Sequence, residues 1–199
     1  DDADKTLKEE ATKKYQAATK SLVAGSLLRP NHPPTLRTLG SVYAFQGDYR
    51  TAMVVFENGL KAAPGDSALT AGLKNVRTNY ANQLIDEKRF DEAVKYFQEL
   101  VKADPNNADL WLGLASALFS RASSSQELPS RKGDFKAAGD AYAKAASLRP
   151  TESDLPFNAG LSYQKADEYA LAEPQWRAAV ALKPGDPDAL SALAETLAE

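Results

Sequence analysis

Five prolines, Pro30, Pro64, Pro105, Pro150 and Pro184, divide the chain at separations of 34, 41, 45 and 34 residues. Fifteen residues before each stands an aromatic: Tyr15, Tyr49, Phe90, Phe135 and Tyr169. Twelve before each stands an alanine: Ala18, Ala52, Ala93, Ala138 and Ala172. Eight before each stands a large apolar side chain: Leu22, Phe56, Phe97, Tyr142 and Trp176. A period near 34 residues means an array of small supersecondary units, each burying its apolar face against its neighbours. The three- and four-residue spacings within each unit are those of a helix. The alanine lets two antiparallel helices approach closely, and the aromatic and the large residue fill the space around it. Proline ends the second helix, because it lacks an N–H and restricts the residue before it.

A looser motif precedes these positions. It reads Leu39-Gly40 with Tyr43, Tyr80-Ala81 with Leu84, Leu114-Ala115 with Leu118, Ala159-Gly160 with Tyr163, and Leu193-Ala194 with Leu197. Together the two motifs resemble the tetratricopeptide repeat (TPR), over nearly the whole chain from about Tyr15 onward. The resemblance implies an all-α fold, a right-handed superhelical array of antiparallel helix pairs. The expected layout is a helical half-repeat at 4–32 and repeats at 33–66, 67–106, 107–152 and 153–186. Residues 187–199 form a capping helix or a truncated repeat, with Leu190, Leu193 and Leu197 facing the core.

The irregular repeats carry further expectations. Leu69, Leu73, Val76, Tyr80 and Leu84 lie on one helix face. The seven extra residues before Tyr80 therefore predict one long helix from about Ala68 to Glu87. The stretch 121–132 is serine-rich, carries Pro129 and predicts an exposed loop. Gly47-Asp48 and Gly133-Asp134 are read as inter-helix turns, with Lys88-Arg89 and Asp167-Glu168 in the same role. Pro174 falls inside a second helix and predicts a late start or a bend. The segment Asp4 to Leu28 reads as one helix, or as two broken near Ala11.

Composition narrows the function. Lys and Arg total 24 against 27 Asp and Glu, a net charge of −3, which argues against a nucleic-acid binder. There is no cysteine and a single histidine, His32, so thiol chemistry is excluded and a His-based metal site or triad has little to draw on. No glycine-rich phosphate loop, zinc motif or nucleophile elbow is present. Acidic pairs such as Asp86-Glu87 and Asp91-Glu92 fall near helix ends, as solvated or capping charges do. No enzyme activity and no cofactor is expected. The longest charge-free apolar stretch, Leu110 to Ser120, is shorter than the roughly 18 residues a span needs, so a soluble chain without membrane insertion is expected. The chain begins at Asp1 without methionine, which reads as a processed protein or a fragment and leaves cytoplasmic and exported locations open.

In the TPR family the first helices of successive repeats line a concave groove that often takes extended peptides. Helical geometry selects the residues on the face opposite the packed one. These are Arg37, Thr38, Ser41 and Phe45; then Asn75, Thr78, Asn79 and Asn82; then Leu112, Ser116 and Phe119; then Phe157, Asn158, Leu161 and Lys165. Asparagine is a poor helix former, because its side chain competes for backbone hydrogen bonds. Its carboxamide both donates and accepts, which suits a peptide backbone. A plain solvated face, and packing of the Leu and Phe members between helices, are the competing readings. The chaperone-binding TPR subfamily is disfavoured, because Asp109 and Gly113, then Asp154 and Asn158, stand where its basic clamp residues would. The reading is a non-catalytic scaffold for a protein or peptide partner. Self-association through the array ends, or a docking or sensory domain of a larger protein, are the alternatives.

Overall fold

A computed structural model of the protein describes residues 2–198. All regular structure among them is helical: α1 (Asp2–Leu28), α2 (Pro33–Phe45), α3 (Tyr49–Ala62), α4 (Ser67–Asp86), α5 (Phe90–Ala103), α6 (Ala108–Ser124), α7 (Leu128–Leu148), α8 (Asp154–Lys165), α9 (Tyr169–Leu182) and α10 (Pro187–Thr196). The helices group into two compact units, Asp1–Tyr80 and Ala81–Glu199.

The recurring prolines act through the residue before them. Ala63, Asp104, Arg149 and Lys183 close α3, α5, α7 and α9, with φ of −139, −140, −134 and −138°. Each immediately precedes a proline, whose ring excludes the helical conformation there. After Pro64, Pro105 and Pro184 the next helix is started by a side-chain cap, whereas Ser153 makes no such bond to α8. Asp66 accepts from the N–H groups of Ala68 and Leu69 at 2.9 and 3.0 Å. Asn107 accepts from Asp109 N–H, and Asp186 from those of Asp188 and Ala189. These caps satisfy donors that the first turn leaves open. The Lys183 ammonium and those N–H bonds together hold the Asp186 carboxyl below its usual pKa. The turns within pairs need a left-handed residue, supplied by Gly47 (φ 79°), Lys88 (φ 59°) and Asp167 (φ 61°).

The alanine positions carry the closest packing. Ala52, Ala93, Ala138 and Ala172 are fully buried, whereas Ala18 on α1 is exposed. Three of the large residues, Phe56, Phe97 and Trp176, lie on glycine. A methyl group on Gly113 would stand 2.2 Å from the Phe97 ring, one on Gly72 2.4 Å from Phe56, and one on Gly160 2.7 Å from Trp176. Gly72 and Gly113 are thus interior helix residues that leave room for a ring. Enlarging an alanine of this layer, as in Ala93→Leu, is expected to cost about 1–3 kcal/mol by overpacking. A urea midpoint equal to wild type would show that Ala93 has space beside it.

The segment 121–132 is not a loop. Helix α6 continues to Ser124 and α7 begins at Leu128, so only residues 125–127 connect them. Ala122 is fully buried and packs with Phe135 and Ala166. The Arg121 guanidinium grips Asp134 through Nε and Nη2 at 2.7 and 2.6 Å. Those contacts draw the inserted residues into two lengthened helices. Ser123 and Ser124 donate to the carbonyls of Phe119 and Ser120 one turn back, so serine content does not interrupt α6. Pro129 takes the first turn of α7, where its missing N–H is harmless. Gly133-Asp134 therefore lies inside α7 and is not a turn.

Helix α9 starts at Tyr169, without delay, and runs through Pro174. The first segment is one helix, with no break at Ala11. At α10 the buried face differs from the leucine stripe. Ala189 is buried, Ala192 and Leu193 pack on the Trp176 cluster, and Leu190 and Leu197 are 44% and 56% exposed.

Candidate partner-binding surface

In the first unit, Arg37, Thr38 and Ser41 are exposed along α2. The Thr38 and Ser41 hydroxyls donate to the carbonyls of Pro34 and Arg37 at 3.0 Å each, so their protons serve their own helix. On α4, Asn75 and Asn79 are exposed, and Thr78 is half-buried with its hydroxyl donated to Lys74 O. Arg50 on α3 donates to Tyr80 Oη at 2.9 Å, and Arg77 on α4 pairs with Glu57 on α3 at 3.0 Å. These contacts fix α4 against α3 while its amides point outward.

In the second unit, Asn82 is exposed on the last turns of α4. The apolar candidates are committed to packing between helices. The Phe119 ring meets Phe135 edge-on at 5.1 Å, and the Phe157 ring meets Trp176 at 5.0 Å. Leu161 packs on the Trp176 cluster. Leu112, Ser116 and Asn158 are half-buried, and the Asn158 carbonyl accepts from the Ser162 hydroxyl at 2.7 Å. Lys165 lies over the face of Phe135, 5.8 Å from the ring centroid.

Charge on this surface is largely paired. Asp109 accepts from Arg149 at 2.6 Å, and that bond raises the arginine's pKa. Asp134 likewise raises that of Arg121. Burial, with the hydrogen bond to Asp140, pushes the Tyr163 phenol well above its usual value, so it stays protonated. Among the described residues no group of three or more His, Asp or Glu side chains is placed to hold a metal ion. No helix among them is long and apolar enough to cross a membrane.

Two features escaped sequence reasoning. One is an open polar cavity of about 450 Å³ beside Lys88, Asp91, Arg121, Ser124 and Asp134 in the second unit. Arg121 and Asp134 are thirteen residues apart, a spacing that nothing in a repeat pattern marks. The other is a stacked pair, Tyr15 and Phe45, with ring centroids 4.5 Å apart beside a cleft of about 460 Å³ in the first unit. The pattern did hold a signal for it, since Phe45 occupies a register position where the other repeats carry polar residues.

Tetratricopeptide-repeat family models match residues 38–66, 84–123 and 157–199, together more than half of the chain. The chain belongs to the TPR family. The matched stretches fall on α2–α3, on the end of α4 through α6, and on α8–α10. Solved structures carry the same fold at low identity. MamA AMB-1 is 21% identical, with 94% of this chain and 93% of that one aligned at a TM-score of 0.55. MamA from Desulfovibrio magneticus RS-1 is 19% identical, with 92% and 94% covered at 0.52. YrrB, described as a TPR protein with an unusual peptide-binding site, is 20% identical, with 92% and 85% covered at 0.52. No curated protein sequence matches the chain.

Proposed function

We propose that this TPR protein is a non-catalytic scaffold that holds an extended peptide or protein segment along the outward side of its first helices. In this reading the repeats span 33–66, 67–106, 107–152 and 153–186, with half-repeats at 4–32 and 187–199. The carrying observation is the exposure of Asn75, Asn79 and Asn82 on α4. Asparagine lowers helix propensity, so three of them on one 20-residue helix stand against the local optimum. Each carboxamide both donates and accepts, and so can pair with a peptide backbone. A net hydrogen bond is worth about 1 kcal/mol, so specificity requires several acting together. YrrB, of the same fold, is described as having a peptide-binding site, which is compatible with this use. The apolar candidates Phe119, Phe157 and Leu161 are engaged by neighbouring helices, so the polar side chains remain as the contact groups.

The test is a displayed-peptide selection against the wild-type chain and an Asn79→Ala, Asn82→Ala variant with unchanged helicity. Peptides enriched by wild type and lost by the variant are the expected result. Peptides retained equally by both would remove α4 from the binding surface.

A further inference from the structure

Two registers of the repeat meet in space. Eight residues before each recurring proline stands a large side chain; eight after it stand Thr38, Gly72, Gly113, Asn158 and Ala192. The Phe56 ring lies on Gly72, and the Phe97 ring on Gly113. Phe56 also lies on Gly40, so its ring runs from α3 into the layer of first helices, α2 and α4. Both rings are closed in, at 2% and 0% exposed. A methyl group on Gly72 or Gly113 would stand 2.4 or 2.2 Å from its ring, so this seating tolerates no side chain.

Tyr142 and Asn158 depart from that pattern at both registers. A phenol replaces the phenyl ring, and asparagine replaces the glycine. Tyr142 packs on the cluster that holds Ala159 and Tyr163 of α8. A carboxamide at this register excludes the close seating, and Tyr142 is accordingly only half-buried. Tyr80 Oη accepts from Arg50, and Tyr163 Oη donates to Asp140. The Tyr142 hydroxyl has no such partner among the described residues, and burial alone raises its pKa, so it keeps its proton. It is not sealed off either, since among the described residues Trp176 Nε1 is the unpaired side-chain polar atom that the fold fully encloses. Packing does not require a hydroxyl here, because Phe56 and Phe97 hold the same register without one. A half-buried donor without an acceptor costs free energy in the unbound protein.

We infer that the Tyr142 hydroxyl donates to a main-chain carbonyl of an extended partner segment lying along α8, and that Asn158 is the positioning residue that keeps this hydroxyl open. The inference rests on the scaffold reading and adds to it a second-helix side chain that first-helix geometry leaves out. An uncharged acceptor fits this place. No charge acts on the phenol, so a carboxylate brought there would lose water without meeting a cation.

The test titrates peptides enriched on the wild-type chain into wild type, Tyr142→Phe, Asn158→Gly and the Asn79→Ala, Asn82→Ala variant, followed by fluorescence anisotropy. Tyr142→Phe and Asn158→Gly each restore a residue that the chain uses elsewhere at the same register, so the fold is kept. Tyr142→Phe is expected to weaken binding about fivefold, the worth of one net hydrogen bond, with a melting midpoint equal to or above wild type. Asn158→Gly is expected to weaken it similarly, and to add little in the Tyr142→Phe background. Equal binding by wild type and Tyr142→Phe overturns the inference, and leaves the scaffold reading standing where the same peptides are lost by the α4 variant. A lower melting midpoint for Tyr142→Phe shows that the hydroxyl is bonded within the chain and overturns it as well. Enrichment of no peptide by wild type removes the scaffold reading, and this inference with it.

Discussion

Phe97→Ala lowers the stability of the second unit by about 3–5 kcal/mol, the range for an aromatic truncated in a closed core. Phe97 is fully buried on α5, and its ring lies on the bare backbone of Gly113 in α6. Gly113, against which the ring lies, has no side chain to relax into the space. The cavity therefore remains, and the loss falls at the upper part of the range. Urea denaturation followed by circular dichroism measures it, and a loss below about 1 kcal/mol would mean the ring is not packed as described. The second site tests the same contact with a change of sign. Gly113→Ala in the wild-type background drives a methyl group to 2.2 Å from the ring and destabilises. In the Phe97→Ala background the ring is gone, and alanine's helix propensity stabilises by about 1 kcal/mol. Identical effects in both backgrounds would show that the two residues do not touch.

Pro174→Ala works in the opposite direction. Pro174 is the sixth residue of α9, beyond the first turn in which proline is tolerated. It cannot donate to the carbonyl of Ala170, and its ring crowds that carbonyl. Its side chain is exposed, so alanine removes no buried contact. The expected gain is about 2–3 kcal/mol, near the full proline-to-alanine difference in a helix interior. Thermal melting, with Trp176 emission as the local signal, reports it. An unchanged midpoint would mean that α9 loses nothing by carrying the ring. A lower one would mean that a proline-dependent geometry seats Trp176.

Much of the fold was legible because its signals are local. A residue before proline cannot stay helical, so Ala63, Asp104, Arg149 and Lys183 end four helices wherever the chain goes afterwards. After Pro64, Pro105 and Pro184 an aspartate or asparagine caps the next helix for an equally local reason. The turns were legible except where chain length was added. There, serine content and Pro129 argue for a loop, whereas Arg121–Asp134 and Ala122–Phe135 pull the segment into helix. Those partners are thirteen residues apart, outside the reach of propensity.

The partner surface was less legible. Helical period places Phe119, Phe157 and Leu161 on the face opposite one neighbour. Each helix of an array touches more than one neighbour, so that face is also a packed one. Likewise the leucine stripe of α10 marks Leu190 and Leu197 as core, yet the bulk of Trp176 leaves room for Ala189 and Ala192 instead. Hydrophobicity ranks side chains by their transfer from water, and shape decides which of them fit.

The sequence by itself determined the repeat, the helical class, the helix ends and the fully buried alanines Ala52, Ala93, Ala138 and Ala172, because each follows from backbone sterics or from a spacing within one or two turns. Tertiary structure alone decided that the 121–132 segment is helical on both sides of a three-residue connection, 125–127, and that Phe119 and Phe157 are packed away. Those outcomes depend on which helix lies alongside, and a neighbour's position is set by the sum of distant contacts, to which no residue's own preference is a guide.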